Sequence, residues 1–595
     1  MITQTTAAIQ IGEDIYKDLA SIEISQQIHG HHFFRVALGS EKIGEPSNAF
    51  LEKAREYAGF DISIEIDNVL EDKLAFKGVI VNVRAVGMST SQLGHKIVIE
   101  GYSPTILLDS GMHSNSYTDK SLADIAREVC NLAPQNLLKP SIGPRNTDPL
   151  PFTVQYNESW FGFLNRLACR YGEWFYYDGF SLVFGQKEQA VTDMYYGIDL
   201  QSFELSMNLG PTGQVYTARS YKECEVETAK LSDYNSAMRG HTAFALKKSS
   251  ETFMGSPTML LHQFNDDEGF KNQLGKMAGL EYSKEAGRRV VFSGTGNNPA
   301  LKPGGIIAVN YRYPGGTSKL GEYIITSVQH SWKSGGEYHN TFTAVPSDIE
   351  VSPMTNPGLV PHCPVQSAIV NDNNDPDGLG RVQVKFGWQK NSYTPWLRIA
   401  TPYAGADKGM YFVPETGEEV MVAFEGGNAE KPFVMGAMYN GKAKPESWKT
   451  ETNDKKAIRT RSGHTIELDD TSGEEKISIY DNEGSIITFD TKAKSLQIVS
   501  SETIDISAKN INISAKEKIN LDAQGDKLSI LSAKAVLIES SGDNINMKSA
   551  KKIVGEAQQV LFKGQQKLHM ESDVQASIKS PKTSMQGTTS KAEVI

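Results

Sequence analysis

A series of short apolar doublets from residue 496 towards the C-terminus constrains this fold more than any other feature. Each doublet places two apolar residues one position apart, as in Ile504/Ile506 and Ile511/Ile513, and successive doublets lie about eight residues apart. Because residues i and i+2 of a β-strand face the same side, each doublet predicts a short strand with one buried face. The intervals are rich in Ser, Ala, Lys, Asn, Asp and Gly, which are typical of turns and exposed positions. A short fixed period of this kind predicts a β-solenoid or a β-prism.

Residues 496–595, here called the ladder, should therefore have a packed interior. The residues that we expect to form it are Ile504, Ile506, Ile511, Ile513, Ile519, Leu521, Leu528 and Ile530. One eight-residue step cannot enclose a core by itself. Three successive steps of one chain would enclose one, and so would one step from each of three chains, where every strand pairs with strands of the other chains. The repeat is compatible with both arrangements.

The rest of the chain must supply several separate cores, because 595 residues exceed what one core accommodates. The composition, 39% hydrophobic and 22% charged, is that of a globular protein. The sequence has no run of apolar residues long enough for a membrane-spanning helix. The N-terminus lacks the basic and apolar regions of a Sec signal, so we expect assembly in the cytoplasm. The four cysteines show no paired spacing and are predicted to be buried free thiols.

Residues 1–352 predict a β-rich body with helical insertions. Helices are predicted over 46–59, 118–130 and 155–172, and Asp178-Gly179 predicts a tight hairpin. The cluster His29, His31 and His32 lies between predicted strands. No Cys or carboxylate keeps metal-ligand spacing with these histidines, so we expect a polar loop.

The remaining boundaries follow from shifts in composition. The proline-rich stretch 353–364 predicts a linker, and 365–441 predicts about six short strands, the size of an OB-type barrel. The polar stretch 442–465 predicts a connector. Residues 466–595 begin with doublets ten to eleven residues apart, which step down into the ladder.

An acidic turn in the OB-sized block has the opening pattern of a calcium loop. Asn373, Asp375, Asp377 and Gly378 match the start of an EF-hand loop, but its twelfth position is Val384 and not Glu. A β-turn is therefore predicted. We identify no catalytic, cofactor-binding or metal-binding constellation in the sequence.

Motifs in the body resemble the hub part of the VgrG family, the spike proteins of type VI secretion systems. They are Gly-Tyr-Ser-Pro at 101–104, Ser-Trp-Phe-Gly-Phe-Leu-Asn-Arg-Leu at 159–167, Tyr-Gly-Glu-Trp-Phe-Tyr-Tyr at 171–177 and Asn-Thr-Phe-Thr-Ala-Val-Pro at 340–346. The block that follows resembles the OB domain of that family, and this is the most specific part of the match. Its motif residues are Gly380, Arg381, Trp396, Gly405, Pro414, Gly417, Glu419 and Val420.

The resemblance covers essentially the whole chain and implies a mainly β fold with α+β insertions. It implies a phage-tail-hub-like β-barrel body, an OB-fold barrel of the phage cell-puncturing type and a C-terminal intertwined trimeric β-helix, or β-prism, needle. Such a homotrimer sits on the tube of a contractile injection machine, punctures the target envelope and is not an enzyme. It is assembled in the cytoplasm and expelled by the machine.

The implied partners lie at the two ends of such a spike. They are an Hcp-like tube protein and the baseplate at the hub, and a PAAR-like tip protein with effectors at the C-terminal end. The target membrane is contacted transiently, and nucleic acid is not an expected partner. Cell-bound type VI systems and extracellular injection particles use similar spikes, and the sequence does not separate them.

Two departures from the family pattern affect these expectations. The ladder uses Ile-x-Ile with Ser, Ala and Lys where the family has Val-Gly repeats. Only about twenty residues separate the barrel from the repeats, where the phage relative carries a lysozyme domain. Because the chain closes with the ladder, we expect effectors on other chains.

Two other classes of function remain as alternatives. A β-helical tailspike-like enzyme that degrades polysaccharides would group carboxylates along a groove, but Asp505, Glu517 and Asp522 do not recur at one phase of the repeat. A nucleic-acid-binding OB protein would need a basic groove with stacking aromatics, but the aromatics near Trp396 lie among many acidic residues.

Overall fold

A computed structural model describes residues 5–39, 52, 55–68, 73–86, 96–185, 190–234, 238–255, 257–260, 270–584 and 586–587. The chain divides into two compact units, Met1–Lys455 and Lys456–Ile595. The structure is mainly β. In the part of the chain that the structure describes, no helix combines the length and the apolar character needed to cross a membrane. Most of the helix predicted over 46–59 lies outside the described residues.

The first strands form one curved sheet around an aliphatic core. They are β1 (Thr6–Ile11), β2 (Asp14–Tyr16), β3 (Leu19–Gln27), β4 (Phe33–Gly39), β5 (Asp61–Asp67), β6 (Lys73–Val86) and β7 (Lys96–Tyr102). All their pairings are antiparallel. Alternation places Ile62, Ile64 and Ile66 of β5 on the inner face, where all three are buried. The period-two pattern of the sequence therefore sets the inner face of the sheet.

An α+β insertion follows this sheet. Its elements are β8 (His113–Ser121), α1 (Leu122–Cys130), β9 (Lys139–Gly143), β10 (Pro149–Glu158), α2 (Trp160–Tyr171), β11 (Phe175–Tyr177) and β12 (Ser181–Gly185). Both helices begin later than predicted, because the residues before them extend strands. Ser121 caps α1 by accepting from the backbone N–H of Asp124 at 3.1 Å, and Ser159 caps α2 through the N–H of Gly162 at 3.0 Å.

The predicted hairpin at Asp178-Gly179 is confirmed. The Asp178 carboxylate accepts the backbone N–H groups of Phe180 and Ser181 at 3.0 and 2.8 Å. Gly179 has φ +103°, and a Cβ there would lie 2.5 Å from the carbonyl oxygen of Ala75. The turn therefore requires glycine for both its backbone angle and the close approach of another strand.

A second barrel carries its own insertion. In chain order the elements are β13 (Val191–Tyr196), β14 (Leu200–Met207), β15 (Val215–Arg219), β16 (Val226–Lys230), α3 (Gly240–Thr252), β17 (Thr258–Leu260), α4 (Phe270–Gly287), β18 (Val290–Gly296), β19 (Ile306–Tyr313), β20 (Gly316–Lys333) and β21 (Glu337–Pro346). Strands β19, β13, β14, β18, β21 and β20 lie side by side in that order, and the pairing of β19 with β20 closes the barrel.

The long hairpin β20–β21 belongs to both the first sheet and the second barrel. Trp332 and Tyr338 pack in the core of the first sheet, whereas Ile325 and Phe342 pack in the core of the second barrel. Strand β20 also pairs with β3 over residues 327–333. The first sheet and the barrel are therefore joined through continuous strands.

A buried polar network lies at this junction. His32 donates from Nε2 to the backbone oxygen of Gln27 at 3.1 Å, so its Nδ1 accepts from the Gln26 amide at 3.3 Å. The Gln26 side-chain oxygen accepts from Nε2 of His330 at 3.1 Å, and Nδ1 of His330 accepts from the Tyr338 hydroxyl at 2.7 Å. Each hydrogen bond fixes the tautomer of the next group, so both imidazoles are neutral.

The three histidines lie in the loop between β3 and β4 as predicted, but the loop is largely buried. His29 and His32 are buried, and only His31 is partly exposed, 2.8 Å from Asp109. His29 bonds to Asn165 at 2.7 Å and to Ser352 at 2.8 Å. Burial lowers the pKa of His29 to about 4 and the pKa of His32 to about 3. The covering residues are distant in the chain, so the local sequence gave no sign of this burial.

The cysteine prediction also needs one correction. Cys130, Cys169 and Cys363 are buried free thiols as expected, but Cys224 is exposed. Cys224 lies in the turn between β15 and β16, where its backbone has φ +57°.

The OB-type block packs directly on the hub insertion. Its strands are β22 (Gln366–Asp372), β23 (Gln383–Phe386), β24 (Ala404–Gly405), β25 (Lys408–Gly409), β26 (Glu419–Phe424) and β27 (Pro432–Ala437). Phe152 and Val154 of β10 are buried in the same core as Val384, Val420 and Val422 of this block. A hub strand therefore completes the core of the barrel.

A buried carboxylate reinforces this packing. Glu430, which lies in the loop before β27, pairs with Arg170 of α2 and accepts the backbone N–H of Val154 at 3.2 Å. Arg166 of the same helix lies 3.9 Å from the other side of this carboxylate. Both arginines and Glu430 are largely buried.

The C-terminal unit begins with a five-stranded antiparallel meander. Its strands are β28 (Lys455–Arg459), β29 (Thr465–Asp469), β30 (Lys476–Tyr480), β31 (Ile486–Asp490) and β32 (Ser495–Val499). The division between the two units falls within the predicted connector, where this sheet begins. The predicted domain boundaries themselves stay predictions.

Candidate functional site: an unpartnered apolar surface

The C-terminal meander carries one continuous apolar face. Its register aligns the doublets of four strands into two rows. One row contains Leu468, Ile477, Phe489 and Leu496, and the other contains Ile466, Ile479, Ile487 and Ile498. Strand alternation places all eight on the same side of the sheet. Seven of them are exposed and Ile487 is half-buried within the chain.

The opposite face of the meander carries polar side chains, and some of them form hydrogen bonds within the chain. The Tyr480 hydroxyl donates to the Glu467 carboxylate at 2.8 Å across two paired strands. Thr488 and Gln497 also pair on this face. The sheet is therefore amphipathic, and its apolar side lacks the covering layer that a folded sheet requires.

The ladder beyond this sheet contains no strand pairing in residues 500–584 as the structure describes them. Its backbone bends at regular intervals. The bends fall at 509, 516–517, 524–526, 533–534, 541–543, 550–551, 558, 565–566, 573–574 and 581. Each doublet lies between two successive bends. The predicted eight-residue step is thus confirmed in the position of the bends.

The residues predicted to form the ladder interior are exposed in the single chain. Their exposed fractions run from 49% for Ile511 to 71% for Ile506. The residue between two doublet members is more exposed still, as Leu537 at 83% and Leu561 at 86% show. The doublets therefore share one side of the chain, and that side is not covered by other described residues of the same chain. A solenoid coiled from one chain would bury them.

The described residues of one chain leave this surface uncovered. Unpaired strand edges and exposed aliphatic rows both favour association, because pairing satisfies backbone groups and burial removes apolar area from water. Sequence reasoning found the doublets through their period, but it did not find the two rows of the meander.

The OB motif residues hold the turns and core of the barrel. Gly380 and Gly417 have φ of +69° and +91°, in the left-handed region that favours glycine. The N–H of Gly417 donates to the carbonyl oxygen of Val370 at 2.9 Å. Pro414 is buried, and its carbonyl accepts from the Asn373 side chain at 3.1 Å. These residues lie together around the acidic turn.

The other motif residues lie elsewhere on the barrel. Val420 is fully buried in the core, and Trp396 is half-buried. Glu419 accepts a hydrogen bond from Asn440 at 2.9 Å. Gly405 is exposed and pairs with Lys408 in the small hairpin β24–β25. The motif thus describes a barrel scaffold and does not converge on a pocket.

Arg381 occupies the acidic turn that resembles a calcium loop. Its guanidinium donates to Asp375 at 2.6 and 3.0 Å and to Asp377 at 2.7 Å. Hydrogen bonds from Arg381 and from backbone N–H groups lower the pKa of Asp375 to about 2, against the opposing effect of burial. The carboxylates of Asp375 and Asp377, which a cation would need as ligands, therefore already bind Arg381.

Two family models match the chain. The model of the phage tail baseplate hub matches residues 49–336, and the model of the type VI secretion system/phage-baseplate injector OB domain matches residues 366–439. A curated relative, the actin cross-linking toxin VgrG1 of Vibrio cholerae serotype O1, is 22% identical over 367 residues, which are 55% of this chain and 32% of the relative.

The chain carries a phage-baseplate hub domain and an injector OB domain and is similar to VgrG spike proteins.

A second VgrG relative and one solved VgrG structure extend the comparison. The type VI secretion system spike protein VgrG2a of Pseudomonas aeruginosa is 27% identical over 163 residues, covering 25% of this chain and 19% of the relative. The chain therefore spans less than a third of the length of either curated relative. The half-lidded PdpA–VgrG complex of Francisella matches the fold with a TM-score of 0.53 and 10% identity, covering 84% of this chain and 88% of that one.

Proposed function

We propose that this chain is the structural spike and hub of a contractile injection machine and acts as a homotrimer. The observation that carries the proposal is the uncovered side of the C-terminal unit. Eight predicted interior residues of the ladder and seven of the eight residues in the two meander rows are exposed in one chain. Three copies around a threefold axis would bury these surfaces against one another and pair their strand edges.

In this assembly the C-terminal unit forms an intertwined β-prism needle. Successive steps of one chain lie on successive faces of the prism, so each face stacks strands from all three chains. Each step would bury two apolar side chains per chain, at about 2 kcal/mol for each side chain before the entropic cost. A packed interior of this kind is stiff, which suits a needle that concentrates force on a small area.

The partners follow from this role and from the family. The hub would contact an Hcp-like tube protein and the baseplate, and the distal end would carry a PAAR-like tip protein with effectors. The relative from Francisella was solved in a complex of PdpA with VgrG, which supports carriage of a further protein by the spike. The spike would be assembled in the cytoplasm and expelled by the machine, touching the target membrane only in passing.

A catalytic or nucleic-acid-binding role has less support. Arg381, the buried arginine of the OB motif, is held by two carboxylates and is not available to a phosphate. The matching family models describe hub and injector domains. We therefore propose a mechanical and non-enzymatic role.

Sedimentation equilibrium of the full chain tests the assembly. The protomer mass is 65.4 kDa, and we expect a single species of three times that mass. A stable monomer at micromolar concentration would contradict the proposal. A secretion assay on a variant that ends before Ser495 tests the function. This variant should retain a folded hub but should not support secretion in a host that carries the machine. Full secretion by this variant would also overturn the proposal.

A further inference from the structure

One outward position of the ladder alternates in charge over six consecutive steps. The position directly follows the second residue of each doublet. Its occupants are Glu539, Lys548, Glu556, Lys563, Glu571 and Lys579. At the same position the four preceding steps carry Ser507, Ser514, Asp522 and Leu531, without alternation. We call the six alternating residues the charge column.

The column lies on the outer side of the ladder. Because side chains alternate along an extended strand, a residue next to a doublet member faces away from the doublets. All six members are exposed in the single chain. Leu531, at the same position one step before the column, is 90% exposed, more than the doublet members beside it.

The charge column is not paired along its own chain. Bends separate its successive members, so they do not lie side by side in one strand. Among the described residues of the column, the ion pair within the chain is that of Glu571 with His569, at 2.9 Å. Partners for the column must therefore come from another copy of the chain.

We propose that the charge column sets the axial register of three chains through ion pairs between neighbouring protomers. This inference rests on the proposed trimeric needle. On each face of such a prism, consecutive steps come from different chains and lie about 4.8 Å apart. Each interior glutamate of the column then lies between a lysine of one neighbour and a lysine of the other. Each interior lysine lies between two glutamates in the same way.

The alternation discriminates against displaced registers. A chain that slips by one step advances along the axis and turns by about 120°, so each of its strands takes the place of the neighbouring strand of the same chain. Because the charges alternate, this one-step slip sets every column residue of the sliding chain against like charges, which is destabilising. The aliphatic doublets cannot provide this discrimination, since they are nearly equivalent from step to step.

The position of the column suits a role in register more than a role in bulk stability. Exposed ion pairs contribute little to stability and are screened by salt. Arrangements of like and unlike charge nevertheless decide which alignment is preferred when apolar contacts are similar. Glu and Lys are common at exposed strand positions, but random placement of the two seldom reverses sign at each of five successive steps.

A disulfide between chains tests the predicted adjacency. We would use the full chain with Cys224→Ser, since Cys224 is the exposed native thiol, and add K548C and E556C. These positions face each other on neighbouring chains, within the Cα separation of about 4.4–6.8 Å that a disulfide allows. Oxidation should give a covalent trimer on a denaturing gel without reductant. The control pair K548C and K563C lies two steps apart, about 9.6 Å, and should give little cross-linking.

Charge reversal tests whether the column matters for stability of the aligned state. K548E sets three glutamates in succession, at 539, 548 and 556, and should lower the thermal midpoint of the C-terminal unit. K552E makes the same change of charge at an outward position of a neighbouring strand outside the column, and should leave the midpoint nearly unchanged. Reversing the sign of all six column residues restores alternation and should recover the midpoint. High salt should reduce the difference between K548E and the unmodified chain.

The outcomes separate this inference from the assembly on which it rests. If sedimentation gives no trimer, both the trimeric needle and the register role of the charge column are wrong. If the trimer forms but K548C and E556C do not link its chains, the register assignment is wrong and the trimer stands. Equal losses in K548E and K552E, or no recovery on full reversal, would also overturn the register role.

Discussion

Individual residues in the hub show how distant packing changes the chemistry of a side chain. Burial lowers the pKa of His330 to about 3, as it does for His32, and lowers the pKa of His29 to about 4. The sequence placed His29 and His32 between strands, which is correct, but it gave no sign of their burial. The groups that hold the His29 ring, Asn165 and Ser352, lie more than a hundred positions away in the chain.

These histidines predict an acid-sensitive hub. In the unfolded chain a histidine has a pKa of about 6.5, so below that pH the unfolded state binds protons that the folded hub excludes. The free energy of unfolding should therefore fall as the pH is lowered from about 6.5 towards 4, by up to about 1.4 kcal/mol per pH unit for each histidine. Denaturant unfolding at a series of pH values measures this slope.

His330→Gln and His339→Gln form a matched pair of variants for this measurement. His330 is buried in the network, whereas His339 is exposed on the neighbouring strand β21. Replacing His330 should reduce the slope, whatever its effect on stability at neutral pH. Replacing His339 should leave the slope unchanged. An unchanged slope in His330→Gln would contradict the assignment.

At the scale of elements, the sequence predicted the type of an element and its buried face better than its first and last residues. The helix predicted over 118–130 is present as α1, and its Leu122, Ile125 and Val129 recur at helical spacing and are buried. The sequence did not locate the start of the helix, because residues 118–121 satisfy strand β8 by pairing with β10. In the ladder too, one property followed from the local sequence and another did not. Its step was predictable from spacing, whereas no strand pairing for the doublets is present in residues 500–584 as the structure describes them.

A single ladder residue tests whether the doublets pack in an interior. Ile511→Ala removes part of a side chain that is half exposed in one chain but would be buried among three. We expect a loss of about 2–5 kcal/mol per chain in the stability of the C-terminal unit. Thermal unfolding followed by circular dichroism provides the measurement. Asn512→Ala, at the neighbouring outward position, is the control and should change stability by less than about 0.5 kcal/mol.

On the scale of the whole molecule, the packing of the OB barrel on the hub is the largest feature beyond sequence reasoning. Its motif residues were identifiable as a set, but Phe152 and Val154 complete the core from more than two hundred positions earlier. No local pattern marks a strand as belonging to a distant barrel. The burial of Glu430 between Arg166 and Arg170 was equally invisible, since each residue alone appears as an ordinary surface charge.

Glu430→Gln tests this connection. The change leaves Arg170 buried without its counter-charge, and breaking a buried pair in this way costs about 3–5 kcal/mol. We expect the hub and the barrel to lose stability together in calorimetry, because the carboxylate contacts both. The control is Glu425→Gln, whose partner Arg398 is exposed, and its cost should stay below about 1 kcal/mol. A loss confined to the barrel would show that the two parts unfold independently.

The shared hairpin β20–β21 has a mechanical consequence. Strand β20 runs for 18 residues and contributes to the cores of both the first sheet and the barrel, as does its partner β21. A load applied to one of them therefore reaches the other along covalent backbone, and separating them would require shearing a ladder of hydrogen bonds in register. An ordinary linker, in contrast, transmits load only after it has been pulled taut. The hub should behave under impact as one stiff body.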